Sequence, residues 1–167
     1  MDTKTTTRPC VVSRDKFGEP FELKFGTGED IIGLMEMYDD FSPRPASQGL
    51  PPEDSETRRS WVENVFTTGM NFLACREGKV LGHAALIPDP GGRSAEFIIF
   101  VHQDYRNLGI GTALARRSLE EASRMGYESV WLTVANTNYI AIKLYRKLGF
   151  QICEMDACER TMEIGTR

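Results

Sequence analysis

One segment of the sequence combines glycines, an arginine and a helix start in a pattern that suits an anion. It covers residues 101–112 and follows the most β-prone stretch of the chain, residues 95–101. Unpaired N–H groups in the first turn of a helix, together with the positive end of the helix dipole, bind phosphate. Gly109 and Gly111 leave the backbone accessible, and Arg106 would add a positive charge at the rim. The pattern therefore predicts a phosphate-binding turn between a buried strand and a helix.

Two common nucleotide-binding patterns do not fit this turn. A dinucleotide fingerprint requires a third glycine at position 114, where the chain has Leu114. A Walker loop requires a lysine before its Ser or Thr, but here Gly111 directly precedes Thr112. A nucleotide-dependent oxidoreductase is therefore disfavoured. A glycine-containing junction between loop and helix, without any ligand, stays as the alternative interpretation.

Two sequence blocks together resemble a known family. The pattern Val-x-x-x-x-Arg-x-x-Gly-x-Gly at 101–111 is similar to the pyrophosphate loop of the GNAT superfamily of N-acyltransferases. Residues 138–150 resemble that family's second block, Asn-x-x-Ala-x-x-Leu-Tyr-x-x-x-Gly-Phe. One helix and one strand separate the blocks, as in the family, and the element order extends the likeness back to about residue 21. Within the superfamily, residues 95–101 look most like bacterial protein-lysine acetyltransferases.

The resemblance implies acetyl-coenzyme A as the co-substrate, and no metal is expected because the cysteines and the two histidines are scattered along the chain. The backbone of Ile99, Phe100 and Val101 would pair with the pantetheine arm like an added strand. Asn138 would contact the same arm, and it is also a good helix N-cap, so both roles can coexist. Backbone amides of the loop would hold the pyrophosphate, and the residues concerned are Arg106, Asn107, Leu108, Gly109, Ile110, Gly111 and Thr112.

The implied reaction is the direct attack of a primary amine on a thioester. An alkylamine has a pKa of about 10.4, so it must lose a proton before it attacks. Glu96 is the candidate base, because an unpaired charge at the start of a central strand is costly and the similar lysine acetyltransferases use a glutamate there. Tyr145 matches the family's general acid. The alternatives are a salt-bridged or strand-end role for Glu96 and a core role for Tyr145. Some relatives place the glutamate where this chain has Thr133.

Other polar and aromatic residues receive weaker predictions. His83 is expected to be a partnered structural histidine, whereas His102 follows the central strand and ranks as a distant second base. The aromatic residues Trp61, Phe66 and Phe72 suit the core or the wall of an acceptor pocket. Candidates to line the acceptor side are Tyr38, Phe41 and Arg44.

The elements that would position these residues form an α/β fold. Hydrophobic periodicity predicts the order β, two helices, hairpin, β, α, β, α, β, β. The resemblance specifies a GNAT-type mixed, mostly antiparallel sheet flanked by helices and splayed at the strands ending near Val101 and Val134. A single N-acetyltransferase domain is expected over residues 21–167. Residues 1–20 are expected to form a flexible N-terminal arm or a short edge element.

The two later helices are predicted to be amphipathic. The first runs from about Gly109 to Met125 and ends at Gly126. The second follows Asn138 and ends at Gly149. Their apolar faces would carry Ile110, Ala113, Leu114, Ala122 and Met125 in the first helix, and Ile140, Ala141, Leu144, Tyr145 and Leu148 in the second.

Composition limits the class of protein. The chain has 167 residues with a net charge of −4, so neither nucleic acid nor a membrane is expected as a partner. It has no apolar run of membrane-spanning length, no signal-like N-terminus and no Cys-x-x-Cys pair, which favours a cytoplasmic protein. The acceptor is expected to be a small-molecule amine or a protein lysine, and dimers are common in the family. A coenzyme A-binding sensor without turnover is the alternative.

Overall fold

The computed structural model describes residues 9–42 and 51–166, and it contains one eight-stranded sheet with four α-helices. The strands are Val11–Arg14 (β1), Pro20–Phe25 (β2), Met70–Arg76 (β3), Lys79–Pro88 (β4), Ser94–Val101 (β5), Ser129–Ala135 (β6), Gln151–Met155 (β7) and Glu159–Gly165 (β8). The helices are Ile31–Asp39 (α1), Ser55–Thr68 (α2), Ile110–Arg124 (α3) and Tyr139–Leu148 (α4). Short 3₁₀ turns cover Gly28–Asp30 and Gln103–Tyr105.

The sheet is split near its middle. Its strand order is β1-β2-β3-β4-β5-β6-β8-β7, and every neighbouring pair is antiparallel except β5 with β6. The parallel pairing of β5 with β6 covers only residues 94–96 against 129–131, and beyond it the two strands separate. The predicted mixed, mostly antiparallel and splayed fold is therefore confirmed.

Each face of the sheet has its own core. On the α3 face, which α3 and α4 cover, the core includes Ile110, Leu114 and Leu132. On the α1 face, α1 and α2 pack on β3 and β4 around Leu34 and Val62. Because side chains alternate along a strand, the faces divide the residues of β5 and β6 into two sets. Ala95, Phe97, Val130, Leu132 and Val134 belong to the α3-face core, so Glu96, Trp131 and Thr133 lie on the α1 face.

Local sequence signals explain where the elements begin and end. The Asp54 side chain accepts a hydrogen bond from the Thr57 amide at 2.8 Å and thereby caps α2. Gly149 ends α4 with a φ of 105°, a conformation that disfavours other residues. The turn between β3 and β4 has positive φ at both Glu77 and Gly78, which is the geometry of a tight hairpin. The predicted hairpin is confirmed.

Three details differ from the sequence predictions. Residues 11–14, assigned to the N-terminal arm, form the edge strand β1, which was the alternative for that segment. Met125, predicted to lie on the apolar face of α3, is the C-cap residue of that helix and is 48% exposed. Ile140 is 72% exposed, because the buried stripe of α4 centres on Ile142 and Tyr145, which turns Ile140 toward solvent.

Candidate active site

The separation of β5 from β6 opens a cleft of about 240 Å³. Both catalytic candidates from the sequence, Glu96 and Tyr145, line it. Thr133 and Glu159 also line it, and Glu159 was not singled out from the sequence. The remaining lining residues are Phe97, Ile98, Ile99 and Phe100. The fold therefore brings Glu96 and Tyr145 together, although they are far apart in the chain.

Backbone groups of β5 point into this cleft. The His102 amide donates to the Leu81 carbonyl at 2.9 Å, which fixes the hydrogen-bonded positions of the β4–β5 ladder. Since these positions alternate in an antiparallel pair, Phe100 directs its N–H and C=O toward β4. Ile99 directs both of its groups toward the split and Val101 directs its N–H there, whereas the Val101 carbonyl accepts from Arg106. An extended ligand would therefore pair with Ile99 and Val101, whereas Phe100, predicted to offer its backbone as well, contributes its side chain.

The predicted phosphate-binding turn has free amides at the start of α3. Gly109 precedes the helix with a φ of 88°, and the Ala113 amide is the first to bond back, to the Gly109 carbonyl at 3.1 Å. The amides of Ile110, Gly111 and Thr112 therefore have no acceptor within the helix. A Cβ at Gly109 would meet no atom within 4 Å, so its backbone conformation, not a lack of space, requires glycine. This arrangement fits a pyrophosphate group.

A neighbouring hairpin holds this loop in place. The Lys16 amide, in the turn between β1 and β2, donates to the Leu108 carbonyl at 2.9 Å. In a trans peptide the N–H points away from the C=O, so the Gly109 N–H faces away from the hairpin. Asp15 fixes the turn, since its carboxylate accepts from the Phe17 amide at 2.8 Å and from Arg76 at 2.7 Å. The contact between this hairpin and the loop could not be predicted from the sequence, because the bond to Leu108 joins two main-chain groups and does not depend on residue type.

Arg106 does not place its charge at the rim as predicted. Its Nε donates to the Val101 carbonyl at 2.9 Å, and its Nη2 donates to the Ser42 carbonyl. The guanidinium also lies 5.1 Å from the centre of the Phe41 ring. Burial lowers the pKa of Arg106 from its ordinary value. The side chain therefore ties the loop after β5 to the segment after α1, which is a positioning role.

Glu96 is half-buried and its carboxylate has no hydrogen bond or ion pair within the described part of the chain. Burial, and then the negative charge of Asp89, raise the pKa of Glu96 above its ordinary value. Asp89 is itself held in place, because its carboxylate accepts from Ser94 Oγ at 2.5 Å and from Trp131 Nε1 at 2.9 Å. The salt-bridged alternative for Glu96 is therefore not observed among these residues.

Tyr145 combines the two roles considered for it. It is only 8% exposed and its ring lies edge-on to Phe150, with centroids 5.8 Å apart, so it belongs to the core on the α3 face. It also lines the cleft, and among the described residues its hydroxyl has no hydrogen-bond partner. Burial raises the pKa of Tyr145, so the hydroxyl is protonated at neutral pH and can donate.

Asn138 caps α4 as predicted. Its Oδ1 accepts from the Ala141 amide at 3.2 Å, and its own amide donates to the Ala135 carbonyl at 3.0 Å. Because only Oδ1 serves as the cap, Nδ2 can still donate to a ligand. The contact between Asn138 and the pantetheine arm stays a prediction.

His102 has no free nitrogen with which to accept a proton. Its Nδ1 accepts from the Asp104 amide at 3.2 Å, so Nε2 carries the hydrogen and donates to Asp40 at 2.8 Å. The ring is 1% exposed. The prediction of His102 as a second base is therefore wrong, since Nδ1 is used within the turn after β5 and Nε2 ties that turn to Asp40 at the end of α1.

His83 is structural, as predicted. Asn71 donates its Nδ2 to the carbonyls of Val65 and Gly69, so its Oδ1 accepts from His83 Nε2 at 2.8 Å. His83 Nδ1 then accepts the Tyr38 hydroxyl proton at 2.6 Å. Burial lowers the pKa of His83 to about 3, so the ring is neutral at physiological pH.

The aromatic candidates are core residues. Tyr38, Trp61 and Phe100 pack edge to face, with centroids 5.4–5.9 Å apart, and Phe41 joins them. Phe66 stacks on His83, whereas Phe72 lies in the core of the opposite face. Tyr38 and Phe41 are buried and do not line the cleft. Arg44 lies outside the described residues.

Comparison with known proteins identifies the class to which this fold and site belong. The model of the acetyltransferase (GNAT) family matches residues 32–150, which is more than half of the chain. The chain therefore belongs to the GNAT family of acetyltransferases, and the resemblance noted in its sequence is confirmed.

Individual relatives differ in what they acetylate. The chain is 39% identical to streptothricin acetyltransferase from Streptomyces lavendulae over 153 residues, which is 90% of this chain and 74% of the relative. It is 28% identical to L-methionine sulfoximine/L-methionine sulfone acetyltransferase from Pseudomonas aeruginosa over 130 residues, covering 74% of this chain and 76% of the relative. The crystal structure of the GNAT domain of S. lividans PAT shares the fold, with a TM-score of 0.82, 15% identity and coverage of 93% and 96% of the two chains.

Two other kinds of feature are absent from the described residues. None of the helices there has the length and apolarity to cross a membrane. No three His, Cys, Asp or Glu side chains in residues 9–42 and 51–166 come together as a metal site.

Proposed function

We propose that this enzyme transfers an acetyl group from acetyl-coenzyme A to a primary amine, by direct attack in the cleft between β5 and β6. The observation that carries the proposal is that Glu96 and Tyr145 line one cleft, each with a polar group that has no partner among the described residues. One group can accept a proton and the other can donate one.

Main-chain groups, together with the side chain of Asn138, would bind the cofactor. The amides at the start of α3 and the inward-facing groups of Ile99 and Val101 would hold the pyrophosphate and the pantetheine arm, and Asn138 Nδ2 would contact that arm. When bound, acetyl-coenzyme A supplies the acetyl group as a thioester, whose carbon–sulfur bond breaks as the amine nitrogen bonds to the acetyl carbon. The amide and the free thiol are the products.

Glu96 removes the proton that prevents the amine from attacking. Burial and the charge of Asp89 raise its pKa, which makes its carboxylate a stronger base than an ordinary one. The proton passes from the ammonium group to Glu96 directly or through one water. The α1 face, where Glu96 lies, is therefore the side from which the acceptor approaches.

Tyr145 gives a proton to the departing sulfur and regains one from the nitrogen, which loses its remaining extra proton as the amide forms. Its hydroxyl is neutral and buried at the edge of the cleft, so it can donate to a thiolate. A thiol of this kind has a pKa of about 8.5, so the thiolate leaves fairly easily and the help it needs is modest.

The acceptor class is small amines, with protein lysine as the alternative. Two relatives of this chain are named for small molecules, streptothricin and methionine sulfoximine. A thiol-release assay over a panel of amines and lysine peptides tests this assignment. Acetyl-coenzyme A binding without release on any acceptor would indicate a sensor instead. The homodimer and the cytoplasmic location stay predictions.

We expect Tyr145→Phe to lower kcat by about tenfold, less than any loss at Glu96, because the leaving thiolate needs little protonation. Steady-state thiol release measures the effect. Tyr139→Phe is the matched control, since Tyr139 lies on the same helix and is 75% exposed. A loss for Tyr145→Phe that equals or exceeds the loss for Glu96→Gln would contradict this division of roles.

We expect Asp89→Asn to move the acid limb of the pH–rate profile to lower pH. The catalytic form of Glu96 is deprotonated, so activity rises as pH passes upward through its pKa. Removal of the Asp89 charge removes one of the two causes that raise this pKa. The measurement is kcat/KM against pH, with the exposed Glu36→Gln as a control that also removes one negative charge. An unchanged or upward-shifted limb would contradict the assignment of Glu96 as the base.

A further inference from the structure

The cleft contains a second carboxylate that the proposed reaction does not use. Glu159 begins β8 and lies directly opposite Ala135 at the end of β6. Residues directly opposite each other in a ladder share a face, so Glu159 lies on the same face as Ala135 and Thr133. That is also the face of Glu96, which lies opposite Trp131. Glu96 and Glu159 therefore border the acceptor side of one cleft, on opposite flanks of β6.

No residue that the structure describes forms an ion pair with Glu159. The side chain is partly buried, and within the described ranges its carboxylate has neither a hydrogen bond nor an ion pair. The described lining of the cleft includes two glutamates and no lysine or arginine. A partly buried carboxylate without a partner is costly, and a cation supplied by a ligand would remove that cost.

A second observation shows that this cleft is built for a ligand. Tyr145, which is 8% exposed, lines the same space with a hydroxyl that has no partner among the described residues. Glu96, Glu159 and Tyr145 thus bring two groups that accept and one that donates to the cleft, none of them with a partner among the described residues. Apolar side chains of Ile98 and Phe100 complete its lining and suit the carbon chain of a ligand.

The two carboxylates are separated along the cleft. Their partners on β6, Trp131 and Ala135, are four residues apart, which corresponds to roughly 13 Å along a strand. One ammonium group cannot contact both carboxylates, whereas a flexible chain with an amine at each end can.

We propose that Glu159 is a specificity-determining residue, which binds a second ammonium group of a dicationic acceptor while Glu96 deprotonates the first. This inference rests on the proposed function, since it names the substrate class of the same site. It also implies discrimination against acceptors that carry a carboxylate in place of the second amine. Such a group would lie beside Glu159 and be repelled by it.

Matched acceptors test the proposal in the wild-type enzyme. α,ω-Diamines of three, five and eight carbons are compared with the 1-aminoalkanes and ω-amino acids of the same length, by thiol release. We expect the best diamine to exceed its monoamine by about tenfold in kcat/KM, through a lower KM, as for a charged hydrogen bond. The ω-amino acid of that length should be the poorest of the three.

Two variants locate the effect. Glu159→Gln should reduce the advantage of the diamine to within about twofold, with kcat retained and coenzyme A affinity unchanged. Glu163→Gln is the matched control, because Glu163 lies on the same face of β8 but is exposed and outside the cleft. It should keep the full advantage.

The outcomes separate this inference from the function on which it rests. If the wild-type enzyme acetylates monoamines as well as diamines, the second-amine site does not exist, while the acetyltransferase function stands. The same conclusion follows if Glu163→Gln removes the preference as completely as Glu159→Gln does. If no amine releases thiol although acetyl-coenzyme A binds, the proposed function is wrong and this inference fails with it.

Discussion

Replacement of Glu96 by Gln should lower kcat by about 10²- to 10⁴-fold and leave the Kd for acetyl-coenzyme A unchanged. Glutamine has nearly the size of glutamate and keeps the half-buried position on β5, but it cannot take a proton. The amine would then have to reach its neutral form in solution, where at neutral pH only a small fraction is deprotonated. The acid limb of the pH–rate profile should disappear together with the activity.

Thiol release and calorimetry on the same preparation check this result. Glu163→Gln again serves as the control, since it makes the same chemical change on the same face of the sheet. An activity loss below about fivefold would show that a water or another group acts as the base. A loss of acetyl-coenzyme A affinity equal to the loss of turnover would place Glu96 in binding instead of proton transfer.

Replacement of Gly109 by Val should raise the Kd for coenzyme A at least about tenfold, because a β-branched residue strongly resists a φ of 88°. The peptide groups before and after Gly109 would rotate, and the amides at the start of α3 would no longer converge. A Cβ at this position has open space around it, so the effect comes from the backbone and not from a clash.

Gly92→Val is the matched control for this substitution. Gly92 has a φ of 67° and the same open surroundings, but it lies in the turn between β4 and β5, at the opposite end of β5. Both variants should lose a similar amount of stability, roughly 1–3 kcal/mol. Only Gly109→Val should lose the thermal stabilisation that coenzyme A provides. Equal coenzyme A affinity in the two variants would contradict the assignment of this loop to the pyrophosphate.

Features that depend on neighbouring residues in the chain could be predicted from the sequence. The cap at Asn138, the end of α4 at Gly149 and the glycine before α3 each act within a few residues. The resemblance then related Glu96 and Tyr145, which are distant in sequence, and the structure places both at one cleft.

Features that depend on register or on main-chain partners could not be predicted. Glu159 faces the cleft because β8 pairs with β6 so that Ala135 lies opposite it, and no local pattern specifies that register. The position of the Arg106 side chain could not be predicted, because its partners are the main-chain carbonyls of Val101 and Ser42, which every residue type provides. His102 was considered a base for the same reason, since its acceptor nitrogen is occupied by a backbone amide.

The short pairing of β5 with β6 gives the sheet an interior seam. Only three residue pairs join the two strands, so the block of β1 to β5 and the block of β6 to β8 meet through a narrow strip of ladder and through the helices. An extended molecule bound along Ile99 and Val101 would take the place of a further strand, and it would connect the two blocks where their own strands have separated. Occupancy of the seam would then stiffen the whole sheet, so that loading with the donor prepares the opposite wall of the cleft for the acceptor.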